Sequence, residues 1–501
     1  MTSEEHTIDN YPDTGLLSRD NIKAYLLTII GIAVIIALYY ILTGLPSTMQ
    51  HPSGPPRESL QGGPGQPPPG GGTNIGELNT WPLWGQLFFP SLIELAIAIA
   101  IIAVFGLMIT YVYKRKGVRT SIYLIVIAGV LLIIATNLIH GIEMGITQTM
   151  GAGQIFTDAM GVNNIFDFIS NYDIIQPTLT THATTQPPGA TLTIYLLYLV
   201  FNTPMLVAIG LCVVAAVGSA FFLRGIVRQL FDDEQARYAT FLYLLLPAVQ
   251  VYYLANIYAI VATLVLAVLY FYFHEDRRVA TVGSIISLFL LTFVSFLSIF
   301  MVFFLFIYEM LKANSIETDN TVDRLKNIVM ATKVPILFSL CVGAVYGLLL
   351  VTLGFNYINA FLYASSLENP NGFMLFSSPV EYFASRIQNI LDIAIFFGPV
   401  LSVLAYRGFI TLREESTENQ NSSKKYHIVL AALIALGLLF LTGAPKKGET
   451  ARICMFILPF LLIPVIAYIR NTNMTRRDKI ILLVVVFGQA VLLQLVGIWV
   501  W

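Results

Sequence analysis

Runs of about 20 apolar residues recur along nearly the whole chain, each long enough to cross a hydrocarbon core of roughly 30 Å. In that solvent every backbone N–H and C=O must be satisfied by the chain itself, so only helices and closed barrels can span it. A barrel needs alternating segments of about 10 residues, and none is present. The chain therefore reads as an all-α polytopic membrane protein. The spacing predicts about 13 spans, near 24–44, 89–113, 120–139, 203–223, 237–253, 255–273, 279–295, 296–312, 331–353, 388–406, 428–443, 452–470 and 479–499. The pair within 279–312 is equally readable as one long helix. Composition agrees, with 56% hydrophobic and only 11% charged residues, against roughly 25% charged in soluble proteins. A net charge of −1 gives no basis for a nucleic-acid partner. Cys212, Cys341 and Cys454 lie in apolar runs and read as small core residues.

Basic residues orient the spans. Lys114 to Arg119, Arg224 with Arg228, Arg277 with Arg278, Lys312 to Lys326, Arg407 to Lys425 and Arg470 to Lys479 all fall on one side. That side is expected to be the cytoplasm of a cell-membrane protein. It also takes the N-terminal segment 1–23, which lacks a cleavable signal pattern. Residues 24–44 read as an anchor helix, 45–80 as a Pro/Gly-rich external linker, and 81–501 as the multi-span functional domain. One external turn departs from the pattern, because Pro445–Arg452 puts Lys446, Lys447 and Arg452 on the outer side. Either one span is miscounted or these charges act there.

The stretch from Thr120 to Leu223 contains no lysine or arginine, and its middle, 140–189, is polar enough to lie outside the membrane. This loop carries Glu143, Asp158, Asp167, Asp173, His140 and His182, and ends in Gln186-Pro187-Pro188-Gly189. Two prolines cannot continue an upstream helix, yet proline suits a helix start. A short re-entrant or interfacial helix is therefore expected from Ala190 to Phe201, broken at Asn202-Thr203-Pro204. The plain alternative is a structural loop anchor. A second motif, Gly448-Glu449-Thr450-Ala451-Arg452, opens a late apolar helix. An arginine there is placed to hold a membrane-tethered anion through paired hydrogen bonds, or simply snorkels to the interface.

Together these residues resemble the GT-C superfamily of membrane glycosyltransferases, most closely the prokaryotic relatives of protein O-mannosyltransferases. The resemblance rests on the long acidic loop ending in Pro-Pro-Gly and on the Gly-Glu-x-x-Arg pattern of Gly448, Glu449 and Arg452. It extends to an upstream acidic site at Thr157-Asp158, a Phe168/Tyr172 spacing, the stretch Asn389 to Pro399, and Leu246-Pro247 ahead of an outer turn. Two departures stand out. Gln186 occupies the place of a second histidine, and the turn after Pro247 reads Tyr252-Tyr253-Leu254-Ala255-Asn256, where an acid is common.

The resemblance implies a polyprenyl-phosphate sugar donor and transfer to an acceptor hydroxyl on protein, glycolipid or glycan, among membrane lipids. The acceptor needs a base, expected to be Asp158, with Asp173, Asp167 and Glu143 in reserve and His182 as the imidazole. The lipid-phosphate leaving group needs cations, expected to be Arg452 with Lys447, Lys446 and His182 in support, while Glu449 either orients Arg452 or is a solvated loop charge. No cofactor or metal is required on this reading; a divalent cation on Asp158 and His182 is the alternative. The rivals are a transporter or flippase, with ionisable groups lining a path through the spans, and a non-catalytic anchoring protein.

Overall fold

The computed structural model describes residues 15–43, 86–87, 89–114, 121–151, 154–315, 320–417, 420–445 and 449–499. The expected linker 45–80 lies outside the described residues. The chain opens with α1 (Arg19–Thr43), α2 (Leu92–Lys114) and α3 (Ile122–Asn137). The polar loop contributes α4 (Gln154–Met160) and leads into α5 (Pro188–Phe201) and α6 (Pro204–Leu230). Then come α7 (Asp233–Leu244), α8 (Pro247–Tyr252), α9 (Tyr258–Tyr272), α10 (Arg277–Val294) and α11 (Ile299–Asn314). The second half holds α12 (Lys333–Leu353), α13 (Tyr357–Glu368), α14 (Pro379–Phe397), α15 (Pro399–Glu415) and α16 (Gln420–Leu441). It closes with the single turn α17 (Thr450–Ile453), then α18 (Leu458–Asn471) and α19 (Arg476–Val496). A two-residue antiparallel ladder pairs Gln86 with Ile498 and Leu87 with Gly497.

Among the described residues nine helices are long and apolar enough to cross a membrane, ten if α14 and α15 count as one bent span. This is a multi-pass membrane protein. The count is below the thirteen expected because three predicted spans are short or interrupted. The 237–253 run is divided into α7 and α8, the 255–273 run is α9 alone, and the 452–470 run is split into α17, a 3₁₀ turn and α18. The 279–312 run is two helices, separated at Ser295–Ser298. The 388–406 run bends by 101° at Gly398, whose φ of +108° few other residues adopt.

Each break needs a donor for a carbonyl that helix geometry no longer serves. Between α7 and α8 every residue from 238 to 254 is buried, and Pro247 removes an N–H. The Gln250 side chain fills the gap, donating to the Leu244 carbonyl at 2.6 Å. Its backbone carbonyl accepts from Asn137 Nδ2 at 2.8 Å, and its Oε1 accepts from Thr136 Oγ1 at 3.1 Å. At the α14/α15 bend, Gln489 of α19 donates to the Ile395 carbonyl at 2.6 Å. Around these breaks α9 packs on α6 and α10, α15 on α18, and α11 on α16.

Replacing Gln250 with Leu leaves the Leu244 carbonyl without its donor in an apolar core, at a cost of about 1–3 kcal/mol. The expected result is a lowered thermal midpoint in detergent, with Gln250→Glu no better; an unchanged midpoint would show the network contributes nothing.

Candidate functional site

The loop after α3 is built of short turns pinned by side chains. Tyr172, fully buried, donates to the Gln186 carbonyl at 2.6 Å. Gln176 donates to the Thr184 carbonyl at 2.9 Å and to the Ala360 carbonyl on α13 at 3.0 Å. The Pro-Pro-Gly motif then starts α5 as its composition predicts, with Pro188 in the first turn. Gly189 permits the helix to dock backbone-first, since a Cβ there would lie 2.2 Å from the Phe293 carbonyl oxygen at the end of α10. α5 ends at Asn202 in a left-handed conformation (φ 55°), and Thr203 caps α6 by accepting from the Leu206 N–H. The expected break at 202–204 is present.

The second motif is held by α14. Tyr382, Arg386, Asn389 and Asp392 recur at helical spacing and form one polar stripe. Tyr382 donates to the Leu441 carbonyl at 2.8 Å. Arg386 donates to the carbonyls of Phe440 and Pro445, the latter at 2.8 Å, and Asn389 also reaches Pro445 at 3.2 Å. Asp392, with no exposure, accepts the Ala451 N–H at 3.0 Å and so caps α17. The stripe thus holds the ends of the 440–451 turn and aims Arg452. Lys447, with Lys446 and Gly448, lies outside the described residues.

The two motifs, remote in sequence, meet. Arg452 is only 5% exposed and pairs with Glu449 Oε2 at 3.1 Å. It shares a cavity of about 70 Å³ with His182, Gln186, Thr149, Asn256 and Tyr258. Gln186 donates to Tyr258 Oη at 2.8 Å, so the residue in the second-histidine position is tied into the cavity wall. The Tyr252–Asn256 turn supplies another wall, with Ala255 left-handed at φ 66°. Burial pushes the His182 imidazole below its ordinary range, the Arg452 charge pushes it the same way, and Glu449 opposes both. His182 at neutral pH is therefore a neutral hydrogen-bonding group beside a cation.

The other expected residues sit differently. Asp158 does not line this cavity; its carboxylate accepts the backbone N–H of Thr180 at 3.1 Å and the Thr180 hydroxyl. Burial raises its pKa against those two hydrogen bonds. Asp167 and Asp173 are exposed in the first turns of short helices, where they complement the dipole, and Glu143 is exposed in a π-helical turn. Two acids were not singled out as site residues from sequence. Asp392 stood out only as a charge inside a predicted span. Glu368, at the end of α13, lies within electrostatic reach of Tyr258, and no local motif marks it. Among the described residues no three His, Cys, Asp or Glu side chains gather closely enough to hold a metal ion.

No protein-family model matches the sequence, and no curated protein matches it. Solved structures of an archaeal oligosaccharyltransferase from Archaeoglobus fulgidus are similar in the course of their helices. The apo form is matched at TM-score 0.45 and 10% identity over 77% of this chain and 57% of that one. The complex with an inhibitory peptide and a dolichol-phosphate is matched at TM-score 0.44 and 12% identity, over 76% and 57%. The chain thus spans little more than half the length of these neighbours. At this level the likeness transfers no residue and no activity.

A histidine whose folded pKa is depressed stabilises the fold fully above its ordinary value of about 6.5, and that stability is lost as pH falls through the folded value. Acidification from pH 7.5 to 5 should therefore loosen residues 176–189, read as faster amide exchange there than in α6. His182→Gln should flatten the dependence; an equal pH response in wild type and variant would remove His182 from the account.

Proposed function

We propose that this protein is a membrane glycosyltransferase of the GT-C type, moving a sugar from a polyprenyl-phosphate donor to an acceptor hydroxyl at the outer face of the cell membrane. One observation carries the reading: the buried Arg452 and the neutral His182, from motifs some 270 residues apart in sequence, converge with Gln186 on one small cavity. A buried guanidinium is costly without an anion. Glu449 pairs with it at 3.1 Å. A cavity of about 70 Å³ beside it suits a phosphate-sized group.

On this reading the acceptor oxygen bonds to the anomeric carbon while the bond from that carbon to the donor's phosphate oxygen breaks. The acceptor proton passes to a carboxylate, and the polyprenyl phosphate leaves as an anion facing Arg452. Preorganised cations in a low-dielectric site favour that developing charge more than water would. Asp158 is the proposed base: outside the cavity lining, it holds Thr180, two residues before His182, and burial raises its pKa. Glu368, within electrostatic reach of Tyr258, is a competitor. The acceptor is a protein, glycolipid or glycan hydroxyl.

The transporter reading has less support. Glu94 is taken up by His140 at 2.8 Å. Glu309 is taken up by Tyr272 at 2.6 Å and Lys312 at 3.4 Å, and Asp392 by the α17 backbone. These acids serve local partners rather than lining one path.

The test is release of polyprenyl phosphate from a panel of polyprenyl-phosphate sugars by the purified protein. Arg452→Ala is expected to slow release by on the order of 100-fold or more, and Asp158→Asn to abolish transfer without weakening donor binding. If Glu368→Gln abolishes transfer and Asp158→Asn does not, the base is reassigned. No release from any donor, with and without acceptors or divalent metal, would return the question to transport.

A further inference from the structure

A second cavity lies at the opposite end of α18 from Arg452. That helix alone, with 14 residues, is about 21 Å long at 1.5 Å per residue. This cavity measures about 510 Å³ and is walled by the ends of α6, α15, α16 and α18, within the size range of small-ligand sites. Its charged lining is Lys425, Arg470 and Glu415.

Lys425 is 5% exposed, so its ammonium does not snorkel out to bulk solvent. It rests over the Phe231 ring at 4.4 Å, and no described carboxylate lies within ion-pairing distance. Glu415 lies within its electrostatic reach but forms no ion pair with it. One carboxylate oxygen accepts the Ser422 hydroxyl at 2.9 Å and the other accepts the Asn471 amide. Arg470, on the rim, is likewise engaged by no described acid. The rim turns at Asn473, left-handed at φ 47°, which brings its amide to the same opening. Among the described lining residues, two cations and neutral amides therefore face one void, with a single carboxylate, Glu415, that accepts from neutral donors.

We propose that this cavity is a binding site for a phosphate-bearing anion, held by the Lys425 ammonium and the Arg470 guanidinium, distinct from the Arg452 site. Lysine supplies a compact point charge and arginine a planar fork that matches phosphate oxygens. A free phosphate compound and the headgroup of an anionic lipid offer the same chemistry at this depth.

The experiment uses the full chain in phosphatidylcholine nanodiscs, with and without phosphatidic acid. Inorganic phosphate binding is measured by equilibrium dialysis, and the thermal midpoint is followed in both lipids. Loss of one charge-assisted contact should weaken binding about tenfold in Lys425→Met and in Arg470→Gln. The second change is on the rim and keeps the test sound if the first fails to fold. Phosphate binding that both variants weaken supports a soluble ligand. A midpoint raised by phosphatidic acid alone, and lost in the variants, supports a lipid headgroup. If neither ligand acts, or the variants respond as wild type does, the proposal fails, and Lys425 serves only the negative end of α18.

Discussion

A backbone carbonyl inside a hydrocarbon layer has no water to turn to, and this chain interrupts its helices repeatedly where that matters most. Several of these interruptions are closed by side-chain donors. Gln250 serves Leu244, Gln489 serves Ile395, and Arg386, Asn389 and Tyr382 serve the 440–445 turn. Such donors hold irregular backbone at membrane depth. The candidate site depends on them, since Arg452 and the Tyr252–Asn256 turn both follow directly from broken segments. A protein of unbroken spans would have no place for either.

The site's electrostatics follow from that architecture. Arg452 is immobilised by a turn whose ends are held by the stripe on α14, so its fork is set before any ligand arrives. His182 is held neutral by burial and by the adjacent cation. Preorganisation of this kind lowers the reorganisation needed when charge develops. Tyr172 and Gln176 fix the polar loop from beneath, which lets a loop element hold a position normally reserved for rigid helices.

Much of this was legible in the sequence, because apolar run length and proline placement act locally. The nine long spans, the start of α5 at Pro188 and its stop at Asn202 follow from such signals. The resemblance also led to the expectation that Asp158, His182 and Arg452 share one cavity; His182 and Arg452 line the same cavity and Asp158 does not. What escaped was non-local. Nothing near Ile395 marks its rescue by Gln489, and hydropathy does not distinguish a straight span at 388–406 from one bent at Gly398. Asp158 looked like a free loop carboxylate because Thr180, its partner, lies 22 residues away. Glu368 was passed over because its neighbour Tyr258 is brought to it only by the fold.

The bend at Gly398 has a mechanical meaning. A straight helix carries an axial push from one membrane surface to the other, whereas one folded through 101° turns most of that push sideways. The half before the bend grips the Arg452 turn, and the half after it ends at Glu415 beside the second cavity. The two halves of the bent segment thus serve different cavities. Two described helices, α16 and α18, border the second cavity at one end and lead toward Arg452 at the other.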